Sequence, residues 1–300
     1  MVKLYQILDT IFPVNFLYAK AFMSNFHTIE EIVLQHSTRN MDKIQAHFPN
    51  EHTKRAVNAF LKLEKGVVFI YTGFYVAGFA ETDGPLGAYF LAKAFEKLGY
   101  MPVIITDHFC DDYFPDIKTL YIPLEGLSNE ESSMILNTYK PICHLSIERC
   151  GQNAEGRYLN ARGVDIKEFT APVDELFKKG SQTAPSFGTG HGGNEVGMGS
   201  FAEVLNNKEL FYDYCVIPCD YPMIASVSNW GGYGFIAELE RVLHVEVLPR
   251  FEEVEKYLAF IVSKGSVDGI KRESVMSVDG KEWELEPKIL QALKDYATKG

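Results

Sequence analysis

The stretch between residues 67 and 107 decides the fold. It opens with "VVFIYTG" (67–73), a short apolar run of β-branched and aromatic residues that predicts a buried strand. "GPLGAYFLAKAFEKLGY" (84–100) follows, with apolar residues at helical spacing and Pro85 in the first turn, so a helix is predicted. "MPVIITD" (101–107) is a second strand-like run. A strand, a helix and a strand in this order predict a parallel pair.

The same alternation continues to the end of the chain. Strands are predicted at 118–124, 142–148, 184–190, 213–218 and 244–249, and helices at 129–139, 173–180, 198–210, 231–243, 251–265 and 285–297. Residues 1–63 have a mostly helical pattern. We therefore predict an α/β fold with a mainly parallel, doubly wound sheet flanked by helices, an N-terminal helical section over residues 1–66 and one α/β domain over residues 67–300.

Composition narrows the class of partner. Forty acidic and 29 basic residues give a net charge of -11, which disfavours nucleic acid and anionic membranes as partners. No apolar run of about eighteen residues occurs, and the N-terminus does not resemble a signal peptide, so no membrane span is expected. Five cysteines without a C-x-x-C pair indicate a reducing compartment, and we expect a cytoplasmic protein. A homo-oligomer is compatible with this composition.

A glycine-rich stretch, "SFGTGHGGNEVGMGSF" (186–201), carries three reactive side chains: His191, Asn194 and Glu195. Amides of glycines before a helix form anion sites, so Gly192 and Gly193 are candidate binding residues. The stretch also matches G-x-G-x-x-G, which raises a nucleotide-dependent oxidoreductase as an alternative. Glu195 would repel a pyrophosphate, and the match lies late in the chain, so the dinucleotide interpretation is the weaker one.

Other polar clusters follow predicted strands, where sites lie in such sheets. The loop 71–85 offers Thr72, Gly73, Glu81, Thr82 and Asp83. For Asp83 alone a helix cap is a strong alternative, a weaker one for Glu81, Thr82 and Asp83 together, and Asp107 is equally well explained as a cap or as a ligand. The loop 147–165 holds Arg149, Asn153 and Asn160. Its guanidinium groups suit a carboxylate ligand, or they pair with neighbouring acids.

Taken together, these motifs resemble the D-glutamate cyclase family. The matching pieces are "TGF" (72–74), "ETDGPLGA" (81–88), "IERCGQNAEGRYLNARGVDI" (147–166), "GHGGNEVGMG" (190–199) and the late pair of "VDG" segments. The resemblance implies a lyase that converts D-glutamate to 5-oxo-D-proline with release of water. Two positions depart from the family pattern, because His191 stands where the family usually has Asp, and Cys150 where it usually has Pro.

This chemistry needs a carboxylate clamp, a base for the ammonium group and an acid or Lewis acid at the departing oxygen. The predicted catalytic residues are Asp83, His191 and Glu195. The predicted substrate-binding residues are Thr72, Gly73, Thr82, Arg149, Asn153, Asn160, Gly192, Gly193 and Asn194. A divalent metal (Mg or Mn) on Glu81, Asp83, Asp107 and Glu195 is an alternative to metal-free catalysis. A non-catalytic sensor of an acidic amino acid remains a further alternative.

Overall fold

A parallel sheet of six strands forms the centre of the fold. The computed structural model describes residues 26–48, 51–207 and 213–299. The strands are β1 (Val67–Tyr71), β2 (Tyr75–Val76), β3 (Phe79–Ala80), β4 (Met101–Thr106), β5 (Thr119–Tyr121), β6 (Cys143–Ile147), β7 (Ser186–Gly190) and β8 (Tyr221–Ile224). β2 and β3 form a separate hairpin. The other six strands lie in the order β5–β4–β1–β6–β7–β8.

Ten α-helices flank the sheet in the described ranges. They are α1 (Ile29–Val33), α2 (Met41–His47), α3 (His52–Phe60), α4 (Pro85–Lys97), α5 (Asn129–Tyr139), α6 (Val173–Gly180), α7 (Ala202–Leu205), α8 (Ser228–Leu243), α9 (Phe251–Ser263) and α10 (Leu285–Ala297). The predicted α/β fold with a doubly wound parallel sheet is therefore confirmed. The first 25 residues of the predicted N-terminal helical section lie outside the described residues.

Strand β1 has apolar residues at successive positions rather than at alternate ones, because side chains on both of its faces are buried. Val68 and Ile70 belong to the core that includes α4 and α8, whereas Phe69 and Tyr71 belong to the core on the opposite face with α6. Both faces of the sheet are therefore covered, as expected for a parallel sheet with crossover helices. Phe60 of α3 stacks on Phe95 of α4 with ring centroids 4.8 Å apart. Described residues of the N-terminal section thus share the first core, and a boundary at residue 66 stays a prediction.

Two predicted strands are wrong. Residues 213–218 make loop-to-loop bonds instead, because the amide of Val216 donates to the carbonyl of Gln152 (3.0 Å) and the carbonyl of Ile217 accepts from Gly197 (2.9 Å). The strand at this edge of the sheet is β8, a few residues later. Residues 244–249 form no strand, since the amides of Val247 and Leu248 donate to the side chain of Glu240.

The predicted helix over 198–210 is also shorter than expected. A 3-10 turn (Gly199–Phe201) precedes the four residues of α7. Residues 208–212 lie outside the described residues.

The strand order positions the functional loops. The chain runs outward from β1 to β4 and β5, returns to β6, and then runs the other way to β7 and β8. The loops that follow β1 and β6 therefore diverge, and such a reversal opens a crevice at the carboxyl ends of the two strands. The loops after β1, β6 and β7 all carry the polar clusters that the sequence singles out.

Two further predictions from the sequence concern membrane-spanning helices and the cysteines. No helix among the described residues is long and apolar enough to cross a membrane. All five cysteines are free thiols, and four of them are buried.

A buried carboxyl in α10 makes stability depend on pH. The indole of Trp230 donates to Glu286 (2.7 Å), and burial raises the pKa of Glu286 to about 7 although this bond lowers it. The unfolded chain loses this proton at a lower pH than the folded chain, so this carboxyl reduces the free energy of unfolding as pH rises from 4.5 towards 7. The shift corresponds to about 3 kcal/mol.

We expect Glu286→Gln to remove that part of the pH dependence. Between pH 4.5 and pH 8, urea unfolding should show a loss of unfolding free energy about 3 kcal/mol smaller in the variant than in the native protein. Glu284→Gln, an exposed carboxyl two residues earlier, is the control and should follow the native curve. Parallel curves for Glu286→Gln and the native protein would contradict this account.

Candidate functional site

Three loops bring a histidine and two acids together at the reversal of the sheet. Asp83 follows β1, Glu148 follows β6 and His191 follows β7. Nδ1 of His191 lies 2.8 Å from Oε2 of Glu148 and 3.4 Å from Oδ2 of Asp83. All three side chains are buried, and each offers one ligand atom within 4.8 Å of the others. The arrangement can carry a proton, or it can hold a cation.

Asp83 is fixed by the start of α8. Its carboxylate accepts from the amides of Ser228 (2.9 Å) and Asn229 (2.8 Å). The side chain of Asn229 reciprocates, because its Oδ1 accepts from the amides of Gly84 and Gly87 at the start of α4. Asp83 therefore caps α8, a different helix from the one that follows it in sequence, and an anion suits that end of the helix dipole.

Glu148 reaches the site through an uncommon backbone conformation. Its φ is +45°, in the left-handed region that few residues other than glycine adopt. A Cβ built on Gly84 would lie 2.7 Å from the Cβ of Glu148, so only glycine allows the two loops to approach this closely. The hydroxyl of Ser228 donates to the carboxylate of Glu148 in a short hydrogen bond.

His191 connects two sets of polar groups. On the Nδ1 side it contacts Glu148, and on the Nε2 side it lies 3.4 Å from Oδ1 of Asp279 and 3.2 Å from Nη1 of Arg39. Burial lowers the pKa of His191, but the carboxylates of Glu148 and Asp279 outweigh it, and the pKa is raised well above 6.5. The protonated ring donates to both acids, whereas the neutral ring accepts from Arg39 at Nε2. The contacts therefore accommodate either proton state.

Glu195 holds the backbone of the same loop. Its Oε1 accepts from the amide of His191 (3.1 Å), while its Oε2 is buried and has no hydrogen-bond partner among the described residues. Burial and the nearby charge of Glu148 raise the pKa of Glu195. An unpaired buried oxygen is costly, so it marks a place where a proton or a cation would be stabilised.

The electrostatic field of the site is strongly negative. Five buried acids converge on it: Glu81, Asp83, Glu148, Glu195 and Asp279. Burial and the mutual repulsion of these carboxylates raise the pKa values of Glu81 and Asp83 well above their usual range. Burial also acts on Asp279, but His191 and Arg39 lower its pKa overall. Such a site favours a cationic group of a ligand, and its buried carboxyls with raised pKa values hold protons more tightly than exposed ones do.

A cavity of about 450 Å³ opens onto this cluster. Its polar lining includes Arg39, Glu81, Glu148, His191, Asn194 and Asp279. Asp83 and Glu195 do not line it, although both lie close to Nδ1 of His191, at 3.4 Å and 3.5 Å. A larger groove of about 850 Å³ between α4 and α9 contains none of these acids, and its size alone does not make it the reaction site.

Of the predicted catalytic residues, the structure brings Asp83, His191 and Glu195 together, and only His191 faces the cavity. The predicted clamp Arg149 lies elsewhere. Its guanidinium group pairs with Asp107 (2.7 Å) and donates to the carbonyls of Gly73 and Ala171. Asp107 is therefore separated from the other predicted metal ligands.

The remaining predicted binding residues have local structural contacts. Thr72 is buried, and its Oγ1 has no partner among the described residues. Thr82 donates to the carbonyl of Ser277 (2.9 Å). Asn153 and Asn160 accept from nearby amides and close turns in the loop after β6.

Asn160 and Asn194 line the cavity. The carbonyl of Gly192 accepts from Arg39 and that of Gly193 accepts from Cys215.

The glycine-rich stretch does not have the geometry of a dinucleotide loop. The G-x-G-x-x-G match ends at Gly193, and no helix follows it directly in this described segment, since the 3-10 turn begins at Gly199 and α7 at Ala202. Glu195 is buried within the loop and its carboxylate faces the amide of His191. A pyrophosphate would need free amides at a helix N-terminus in this position.

Sequence reasoning missed three residues of the cluster. From the sequence, Glu148 was interpreted only as one of the neighbouring acids that could form ion pairs with the arginines of the loop 147–165. Asp279 belongs to the second of two "SVDG" segments, and Asp-Gly pairs are common in turns, so the local sequence does not mark Asp279 as a site residue. In the structure the two copies have different roles. Asp268 of the first copy accepts from four groups within its own loop, whereas Asp279 points at His191. Arg39 lies 152 positions before His191, and no local pattern marks it.

Comparisons with known proteins identify the family of the chain. A family model described as "D-glutamate cyclase-like, C-terminal" matches residues 29–294. The human protein named "D-glutamate cyclase, mitochondrial" is 30% identical over 264 residues, which cover 73% of this chain and 43% of the human protein. The chain thus spans less than half the length of that relative. Since the family model covers most of the chain, including every residue of the acid cluster, the chain belongs to the D-glutamate cyclase-like family.

Proposed function

We propose that the protein is a glutamate cyclase that converts glutamate, with D-glutamate favoured over L-glutamate, to 5-oxoproline and water. Family membership and the similarity to a protein named D-glutamate cyclase support this assignment. The observation that carries it is the contact of His191 with Glu148 on one side and Asp279 on the other, at the wall of a cavity. The cavity is large enough for a small amino acid.

The proton balance of the reaction fits these contacts. The ammonium nitrogen loses two protons when it becomes the lactam N–H, and the departing γ-carboxyl oxygen gains two when it leaves as water. The reaction therefore needs groups that move protons from nitrogen to oxygen within one site. Carboxyl groups beside an imidazole at the wall of the cavity meet this requirement, because each group can take up a proton in one step and give it up in another.

In this proposal the substrate ammonium group lies against the acids that face the cavity. Glu81 and Glu148 are the acceptors for its protons, and His191 donates to the departing oxygen. Asp83 and Glu195 act on the substrate only through His191, which they hold in place. Folding glutamate so that its nitrogen meets its own γ-carbon supplies much of the rate, since both reacting groups belong to one molecule.

A divalent cation is compatible with the same side chains. Asp83 and Glu148 would hold it through oxygen and His191 through nitrogen, and Oε1 of Glu195 lies 3.5 Å from Nδ1 of His191. Mg²⁺ or Mn²⁺ bound there would supply Lewis acidity to the γ-carboxyl oxygen. Binding would require Nδ1 of His191 to lose its proton, so cation binding and proton transfer through this nitrogen exclude each other.

Turnover is the direct test of the proposed function. The purified protein is incubated with D-glutamate, L-glutamate and both enantiomers of 5-oxoproline, with and without Mg²⁺ or Mn²⁺, and products are followed by NMR. We expect interconversion of glutamate and 5-oxoproline for one enantiomer. Absence of conversion in both directions under all these conditions would refute the proposal, and tight binding without product would favour a sensor.

Glu148→Gln should lower kcat by about 100-fold or more, because the variant loses the acid that bonds Nδ1 of His191. The melting temperature should stay near the native value, since one of several mutually repelling buried carboxylates is removed. Glu130→Gln, an exposed acid in α5, is the matched control and should retain native kcat. A Glu148→Gln enzyme with native kcat would exclude this residue from proton transfer.

His191→Asp, which introduces the residue usual in the family, should bind Mn²⁺ more tightly than the native protein. Carboxylate oxygen is the ligand that hard cations prefer, and the substitution also removes the cation that balances the acids. Titration of free Mn²⁺ by electron paramagnetic resonance measures the affinity. His244→Asp, at the opposite end of α8, controls for added surface charge. Equal Mn²⁺ affinity of His191→Asp and the native protein would argue against a cation site here.

A further inference from the structure

Arg39 brings a positive charge to the mouth of the acid cluster from the segment between α1 and α2. Its Nη1 lies 3.2 Å from Nε2 of His191, and its Nη2 donates to Oδ1 of Asn194 (3.0 Å) and to the carbonyl of Gly192 (3.4 Å). The guanidinium group also lines the cavity. A cation from the N-terminal section therefore faces the same space as the acids of the sheet.

The position of Arg39 is defined by its surroundings. A Cβ built on Gly192 would overlap the guanidinium group, so glycine at this position leaves the space that Arg39 fills. The ammonium group of Lys281 donates to the carbonyl of His36 (2.8 Å), which ties the segment of Arg39 to the loop that carries Asp279. These contacts hold Arg39 at the cavity before any ligand binds.

A comparison with Arg149 shows that the charge of Arg39 is available to a ligand. Arg149 is 1% exposed and pairs with the carboxylate of Asp107 at 2.7 Å. Arg39 has a side-chain exposure of 23%, and its nearest carboxylate among the described residues, that of Glu195, is 4.0 Å away. The acceptors of its Nη2, the amide oxygen of Asn194 and the carbonyl of Gly192, carry no net charge.

A glutamate molecule in this cavity would supply the close carboxylate partner that Arg39 does not have among the described residues. Its ammonium group suits the acids, but its carboxylates are repelled by them. The α-carboxylate does not react and remains charged throughout, so it needs a permanent cation. A guanidinium fork binds a carboxylate through two parallel hydrogen bonds, and its charge does not titrate.

We propose that Arg39 is the clamp for the α-carboxylate of the substrate and so selects amino acids with a free α-carboxyl group. This inference rests on the proposed function and assigns to Arg39 the carboxylate-binding role that was predicted for Arg149. The clamp belongs to the described part of the N-terminal section, so the α/β sheet alone does not complete the substrate site.

The test compares Arg39→Gln with the native enzyme in steady-state kinetics. We expect KM for glutamate to rise roughly 10- to 100-fold, the usual effect of losing a charged hydrogen bond, while kcat changes much less. Inhibition by 4-aminobutyrate, which lacks the α-carboxylate, should be unchanged, whereas inhibition by 2-aminobutyrate, which retains it, should weaken in parallel with KM. Arg55→Gln, an exposed arginine in α3, is the control.

Gly192→Ala provides a second variant that leaves Arg39 in the chain. The added methyl group displaces the guanidinium group, so the same rise in KM is expected. If Arg39→Gln has a lowered melting temperature, the KM of Gly192→Ala for glutamate is the measurement that tests the inference.

Three results would overturn the inference. Unchanged KM in both variants would show that Arg39 does not bind substrate. A fall in kcat with native KM would show that it acts through His191. Equal weakening of both aminobutyrates would assign Arg39 to a different role from the α-carboxylate clamp. Failure of the proposed function is recognised separately, because the native enzyme would then show no turnover.

Discussion

The carboxylate of Asp83 joins the two helices that meet at the reversal of the sheet. It accepts from the first amides of α8, and Asn229 of α8 accepts in return from the amides at the start of α4. These reciprocal bonds satisfy amides that have no partner within their own helices. They also fix the loop after β1 against Glu148, so that the acid in the left-handed conformation lies where Ser228 and His191 reach it. The geometry of the cluster depends on this junction.

Burying several acids in one place is unfavourable unless their charge is reduced or balanced. Here both occur. The pKa values of Glu81, Asp83 and Glu195 are raised, chiefly by burial, while His191 and Arg39 place positive charge beside Asp279 and Glu195. Such a cluster holds protons more tightly than exposed carboxylates do, and buried groups with perturbed pKa values are typical of sites that transfer protons. The property that makes the site costly for folding is thus the one that a proton-transferring enzyme needs.

The sequence predicted those parts of the fold that depend on local pattern. The bounds of α5 and α10 were predicted to the residue from the helical pattern of their sequences, and in the structure a capping box at Ser128 begins α5. Residues 213–218 were assigned to a strand because their apolar content suits one, but their backbone groups bond to loops far away in sequence. No local pattern distinguishes these partners.

The candidate site shows the same limit. Loops that follow strands were singled out as carriers of Asp83, His191 and Glu195, and the structure brings these side chains together because the place of the loops follows from the topology. Arg149 suited a carboxylate clamp by residue type, yet the sequence contained no sign that Asp107 would take up its charge. Arg39 and Asp279 reach His191 through the packing of the N-terminal and late segments, and only their tertiary contacts reveal them.

The histidine at position 191 changes how the charge of the cluster is balanced. An aspartate at this position, which the family resemblance of the sequence implies as the usual residue, would add one more acid to the group. A cluster with that extra acid needs a cation from outside the chain or additional bound protons to remain stable. In this protein the imidazole supplies the positive charge itself when it is protonated between Glu148 and Asp279. The identity of residue 191 therefore couples charge balance to the choice between proton transfer and cation binding, because both use the same nitrogen.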